Sequence, residues 1–167
     1  MTAIKYLQIH KRTENRKGIA AVECAVMLPV MLVLVLGLIE LGTALRASTI
    51  MQSSVREAGR LATMDWRYVL EQDETPNVKV ERDIRNFVTA SGLPGNDLTV
   101  KIQYAEGDDK GSHFDISDPD NALELMLIEI ELPYASISLF PVNYMGGTNL
   151  RAGVVSRAGF GGGSLTN

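Results

Sequence analysis

Cysteine is almost missing from this 167-residue chain: Cys24 stands alone, so no intramolecular disulfide can form. Histidine is nearly as scarce, with His10 and His113 the only two. That excludes a Cys/His zinc pattern, and His113 sits in a polar loop beside Ser112 with nothing to orient it as the base of a triad. The sequence also lacks a nucleophile elbow and a phosphate-binding glycine-rich loop. A net basic balance is confined to the N-terminus. Residues 1–17 hold five basic side chains against Glu14, a local balance of +4, so the overall −4 leaves −8 for the remainder. An acidic body of that kind excludes nucleic acid as a partner. Asp115, Asp118 and Asp120 form the best metal candidate, for calcium. Their spacing departs from an EF-hand and lacks its glycine and distal glutamate, and Asp-Pro and Asp-Asn are ordinary turn chemistry. No catalytic residue, metal ligand or cofactor is expected, so the chain reads as a non-enzyme.

The sequence is also without charge from Cys24 to Ile39, and here something positive begins. Arg16–Gly42 reads RKGIAAVECAVMLPVMLVLVLGLIELG. Ile19–Ile39 is about 21 residues with one acid, Glu23, and at ~1.5 Å per residue its ~31 Å matches a bilayer core of ~30 Å. The expectation is a membrane-spanning helix, with the basic leader in the cytoplasm and the acidic body outside. Glu23 is the unusual feature, because an ionisable group inside such a helix needs a partner. One reading puts it at the headgroup boundary, reaching water. Another has the chain cut after Gly18, which would free an Ile19 amine that titrates near ~7.7–8.0 and is mostly protonated at neutral pH. Glu23 would then pair with that amine on a neighbouring copy. A third reading treats the apolar run as a secretory signal cut after Ala44, which leaves Glu23 unexplained. Cys24 reads as a small packing residue, since a lipoprotein cysteine follows its hydrophobic run.

A basic leader, a glycine and an apolar helix with Glu as its fifth residue resemble a type IV prepilin signal. More narrowly, GIAAVECAVMLP with GLIELG downstream, and the later Val55–Arg60 segment, resemble the TadE-like pseudopilins of the Tad (tight adherence) pilus system. The likeness runs over about Lys17–Arg60. Where the family usually carries an aromatic residue after the Glu, this chain has Cys24. The resemblance implies processing between Gly18 and Ile19 by a prepilin peptidase that recognises Arg16 and Lys17. It also implies an assembly role for Glu23 and a single-pass location in the bacterial inner membrane. The partners implied are membrane lipid, other pilins or pseudopilins, and the pilus assembly machinery. The competing reading is a single-span sensor or binding protein that keeps its leader.

The expected fold is α+β and pilin-like: a long N-terminal helix, then a short helix packed on a small antiparallel sheet. The organisation expected is a leader over 1–18, a membrane helix over 19–40, an amphipathic extension over 41–66, an extracytoplasmic domain over 67–160 and a loose tail over 161–167. Pro29 loosens the helix around Ala25. Leu41, Leu45, Ser48, Met51, Val55, Ala58 and Ala62 make the stripe of the extension. A break covers Trp66–Asp73. Thr75 and Pro76 start the second helix, with Val80, Ile84, Phe87 and Val88 inward and Gly92 as its stop. Leu98–Tyr104, Glu124–Leu132 and Thr148–Phe160 read as strands, Glu106–Asp120 as a polar loop, and Tyr134–Pro141 as continued extended chain.

Overall fold

The structure, a computed structural model, describes residues 3–64, 66, 74–140 and 147–159, with side chains from Gly18 onward. The tail, the bulk of the 66–73 break and the ends of two expected segments, Pro141 and Phe160, lie outside the described residues. The elements are helix α1 (Ala3–Ala62), helix α2 (Pro76–Ala90) and strands β1 (Thr99–Tyr104), β2 (Leu125–Pro133) and β3 (Asn149–Arg157). This is the expected α+β plan. The chain divides into two units, Met1–Leu41 and Gly42–Asn167.

α1 begins earlier than the apolar run, at Ala3, because no proline or glycine stands before Gly18 to stop it. It ends at Ala62 in a tightened turn, where the Thr63 and Met64 amides bond to the Arg60 and Leu61 carbonyls. Within the second unit its buried stripe is Ala47, Met51, Val55, Ala58 and Ala62, with Ser54 beside it. This corrects the head of the expected stripe: Leu41 and Leu45 are more than half exposed, and Ala44 packs on the core instead. Leu45 lies farther round the helix, off the centre of the buried row. Arg46 donates to the Ser91 carbonyl at the end of α2 (3.2 Å).

α2 is capped as its sequence predicts. Thr75 Oγ1 accepts from the Val78 amide (3.4 Å) and Pro76 occupies the first turn. Pro76, Val80, Ile84 and Val88 are buried at a spacing of four. Phe87, expected inward, is 41% exposed because it lies to one side of that row. Gly92 closes the helix at φ +84°, a value that favours glycine, while the Leu93 amide bonds back to Val88.

The sheet order is β1-β2-β3, antiparallel throughout. Strict alternation on β2 puts Met126, Ile128, Ile130 and Leu132 in the core. Ile102, Ile128 and Val154 stand side by side in register. α1 presses on β3 closely: a Cβ on Gly59 would come within 3.2 Å of Val154 Cγ1, and Ser156 Oγ donates to the Gly59 carbonyl (3.2 Å). On the opposite face Glu131 lies between Lys101 (3.3 Å) and Arg151 (3.2 Å).

Two connections differ from expectation. After β2 the chain does not stay extended: Tyr134–Ser136 is a 3-10 turn, with Tyr134 and Ile137 buried. Pro133 ends the ladder there and supplies the φ of −59° that leads into the turn. The Glu106–Asp120 loop is part of the core, because Phe114 and Ile116 are fully buried. Their burial contributes on the order of 1.5–3 kcal/mol each. Asn77 holds them by both ends of its amide, donating to the Phe114 carbonyl (2.7 Å) and accepting from the Ile116 amide (2.9 Å). Asn121 donates to the Asp115 carbonyl and accepts from the Tyr104 hydroxyl (2.6 Å).

Replacing Asn77 with Ala strands a carbonyl and an amide. The expected cost is about 1–3 kcal/mol of unfolding free energy, with faster amide exchange at Ile116. Denaturation and exchange of the full chain in detergent micelles measure both. Unchanged exchange at Ile116 would show that Asn77 does not hold the loop.

Candidate functional site: an apolar helix with one carboxylate

The described part of the first unit is a single helix, with exposed side chains from Gly18 to Leu38. From Ile19 to Ile39 the apolar side chains are exposed around the whole circumference, with Val22, Val26 and Leu38 each about two-thirds exposed. A helix that is apolar all round belongs in a core or in lipid. The stretch beginning at Gly18 is long and apolar enough to cross a membrane, and none of its most apolar window is buried by protein. Its backbone needs no outside donors, because each amide inside the helix bonds to the carbonyl one turn earlier. Pro29 is the exception. The helix runs unbroken through it, but it has no amide to offer the Ala25 carbonyl.

Gly18, Ile19 and Glu23 all lie on this helix and are exposed. Ile19 and Glu23 are four residues apart, so they share one face, one turn from each other. No side chain among the described residues pairs with Glu23. Gly18, Gly37 and Gly42 have open space where a Cβ would stand, so each leaves a smooth spot on an uncovered surface. Cys24 is a free, exposed thiol. Arg16 and Lys17 are helical in backbone, and their side chains lie outside the described ones.

The remaining candidates are taken up by the fold. Asp115 Oδ1 accepts from both the amide and the hydroxyl of Ser117, and Asp118 Oδ1 caps a short 3-10 turn through the Asp120 amide. No group of three metal-ligating side chains occurs among the described residues. His113 is exposed and its backbone bridges Gln103. Farther along α1, Arg60 Nε donates to Glu57 Oε2 (3.1 Å), the i,i+3 pair expected from the sequence. That hydrogen bond holds the Glu57 carboxyl below its ordinary value and raises Arg60.

The geometry is thus that of an α+β protein whose N-terminal helix is long and apolar enough to cross a membrane, with one acid, Glu23, between Ile19 and Ile39. Residues 18–60 match the family model described as TadE-like protein. The N-terminal segment is therefore TadE-like, as its motifs led us to expect. The match begins at Gly18 and stops two residues before α1 ends. No curated protein and no solved structure matches the chain.

The depressed pKa of Glu57 fixes the sign of a pH effect. The pair contributes fully at neutral pH, and its contribution is lost as the pH falls through the lowered folded value. Carboxyl-carbon NMR of the full chain in micelles should show Glu57 titrating below an ordinary glutamate, and Arg60→Ala should return it to normal. A Glu57 that titrates normally in the unsubstituted chain would mean the pair does not persist in solution.

Proposed function

We propose that this protein is a minor pilin or pseudopilin that takes part in assembly of a Tad-type pilus, as a structural component and not as an enzyme. The observation that carries the reading is the pairing of Ile19 and Glu23 on one face of an uncovered apolar helix, in a segment whose TadE-like match starts at Gly18. A prepilin peptidase recognises the leader through Arg16 and Lys17 and cuts between Gly18 and Ile19. The new ammonium at Ile19 is then available to the Glu23 carboxylate of a neighbouring pilin or pseudopilin. In lipid an unpaired carboxylate is strongly penalised, so the pair drives the helices together. The basic leader keeps the N-terminus in the cytoplasm, the helix lies in the bacterial inner membrane, and the α+β body is extracytoplasmic.

One observation favours a second reading. α1 is continuous across the Gly18–Ile19 bond, as it would be in a single-span sensor or binding protein that keeps its leader. Hydrolysis needs that turn opened, and glycine is the residue that weakens a helix most cheaply, by about 1 kcal/mol relative to alanine.

Intact mass and N-terminal sequencing of the membrane-extracted protein, with and without a prepilin peptidase, separate the two. A start at Ile19 that requires the peptidase is expected, and a retained leader sinks the proposal. Glu23→Gln should then reduce piliation about tenfold or more, equivalent to ~1.4 kcal/mol per assembly step, while the body stays folded. Full piliation in that variant would remove Glu23 from the mechanism.

A further inference from the structure

The two edges of the sheet are treated differently. At β1 the chain covers its own edge: the Tyr104 amide bonds to the Ser112 carbonyl, the Phe114 amide bonds to Ile102, and Gln103 bridges His113. At β3 nothing among the described residues does this. The flanking bonds fix which groups point where. Tyr134 donates to Thr148, and Ala158 donates to Glu124. The even-numbered residues of β3 therefore face β2, and the odd-numbered ones turn their N–H and C=O outward. From Asn149 to Arg157 that leaves a regular, unbulged ladder of open donors and acceptors.

Open edges are templates for another strand, and β3 has neither a proline nor a bulge to prevent pairing. Charge then selects the partner. No Asp or Glu occurs after Glu131 in the whole chain, whereas β3 carries Arg151 and Arg157 in a body that is otherwise acidic. Arg151 is paired with Glu131, while Arg157 meets no acid among the described residues. Two positions from Arg157, on the same face, Val155 is 57% exposed. At physiological salt the acidic remainder is screened beyond ~8 Å, so the local cation governs what docks.

We propose that the open edge of β3 is a docking site for an extended acidic peptide segment of a partner protein. The segment adds as a fourth strand, antiparallel, with an acid opposite Arg157 and an apolar residue two positions later opposite Val155. Main-chain bonds to Gly153, Val155 and Arg157 supply affinity, and the two side-chain positions supply selection.

The test uses the full chain in detergent micelles and a capped peptide, Thr-Thr-Asp-Thr-Val-Thr-Thr, against the same peptide with Lys in place of Asp. The aspartate peptide should bind about two- to fivefold more tightly, within the range that cross-strand charge pairs give. It should slow exchange of the Gly153, Val155 and Arg157 amides, and added salt should narrow the preference. Val155→Pro removes an outward amide without touching the β2 ladder, so it should abolish binding while circular dichroism stays unchanged. Arg157→Glu should invert the preference toward the lysine peptide, which keeps the test decisive if the proline variant fails to fold. Absence of binding, equal binding of the two peptides, or undiminished binding by a folded Val155→Pro overturns the proposal. So does protection of these amides in a self-associated chain without peptide, because the occupant would then be a second copy.

Discussion

A single α-helix must satisfy two different surroundings, and the rest of the molecule follows from how it does so. α1 meets its own backbone demand internally, so only its side chains need to change from one stretch to the next. From Ile19 to Leu38 they are, Glu23 apart, apolar in every direction and exposed. From Ala47 onward only one stripe is apolar, and that stripe is the floor of a core. The three-stranded sheet would be poorly covered on its inner face without this second stretch. Helix and sheet meet most tightly at Gly59, where the lack of a side chain lets Val154 and Ser156 approach.

The core is completed from places that do not resemble core. Phe114 and Ile116 come from a loop full of acids, and Trp66 from the segment after α1. Each is buried among the same residues as the sheet. The loop keeps its shape because two asparagines, Asn77 and Asn121, supply the main-chain partners that a strand would have provided. A small body of this kind cannot rely on three strands alone, and it draws in the connecting chain to close its core.

Features with a strong period were legible in the residues. The apolar run, the alternation of β2, the Thr75-Pro76 helix start and the Gly92 stop all carry local physical signals that tertiary packing did not overrule. Where packing decides, the residues misled. Leu41 and Leu45 look like the head of a buried stripe, but they lie off the centre of the row that is used, so Ala44 and Ala47 pack on the core while both leucines stay exposed. Phe87 has the right spacing for the core and lies just off the row that is used. Phe114 and Ile116 were hidden by the polarity of their neighbours, and the turn at Tyr134 by an apolar stretch that reads as extended. The open edge of β3 had no sequence signal at all, because hydrogen-bond direction in a ladder depends on register.

The contact between Gly59 and Ser156 spans 97 residues of sequence. The stripe that carries Met51, Val55 and Ala58 is therefore made well before the strand that covers it at Gly59. At a synthesis rate of ~5–20 residues per second, on the order of 5–20 s separates the two events. Throughout that interval this surface lacks the strand that packs on Gly59. The order of the chain therefore builds in a delay, during which this half of α1 is open to whatever apolar surface lies nearest, before its own domain claims it.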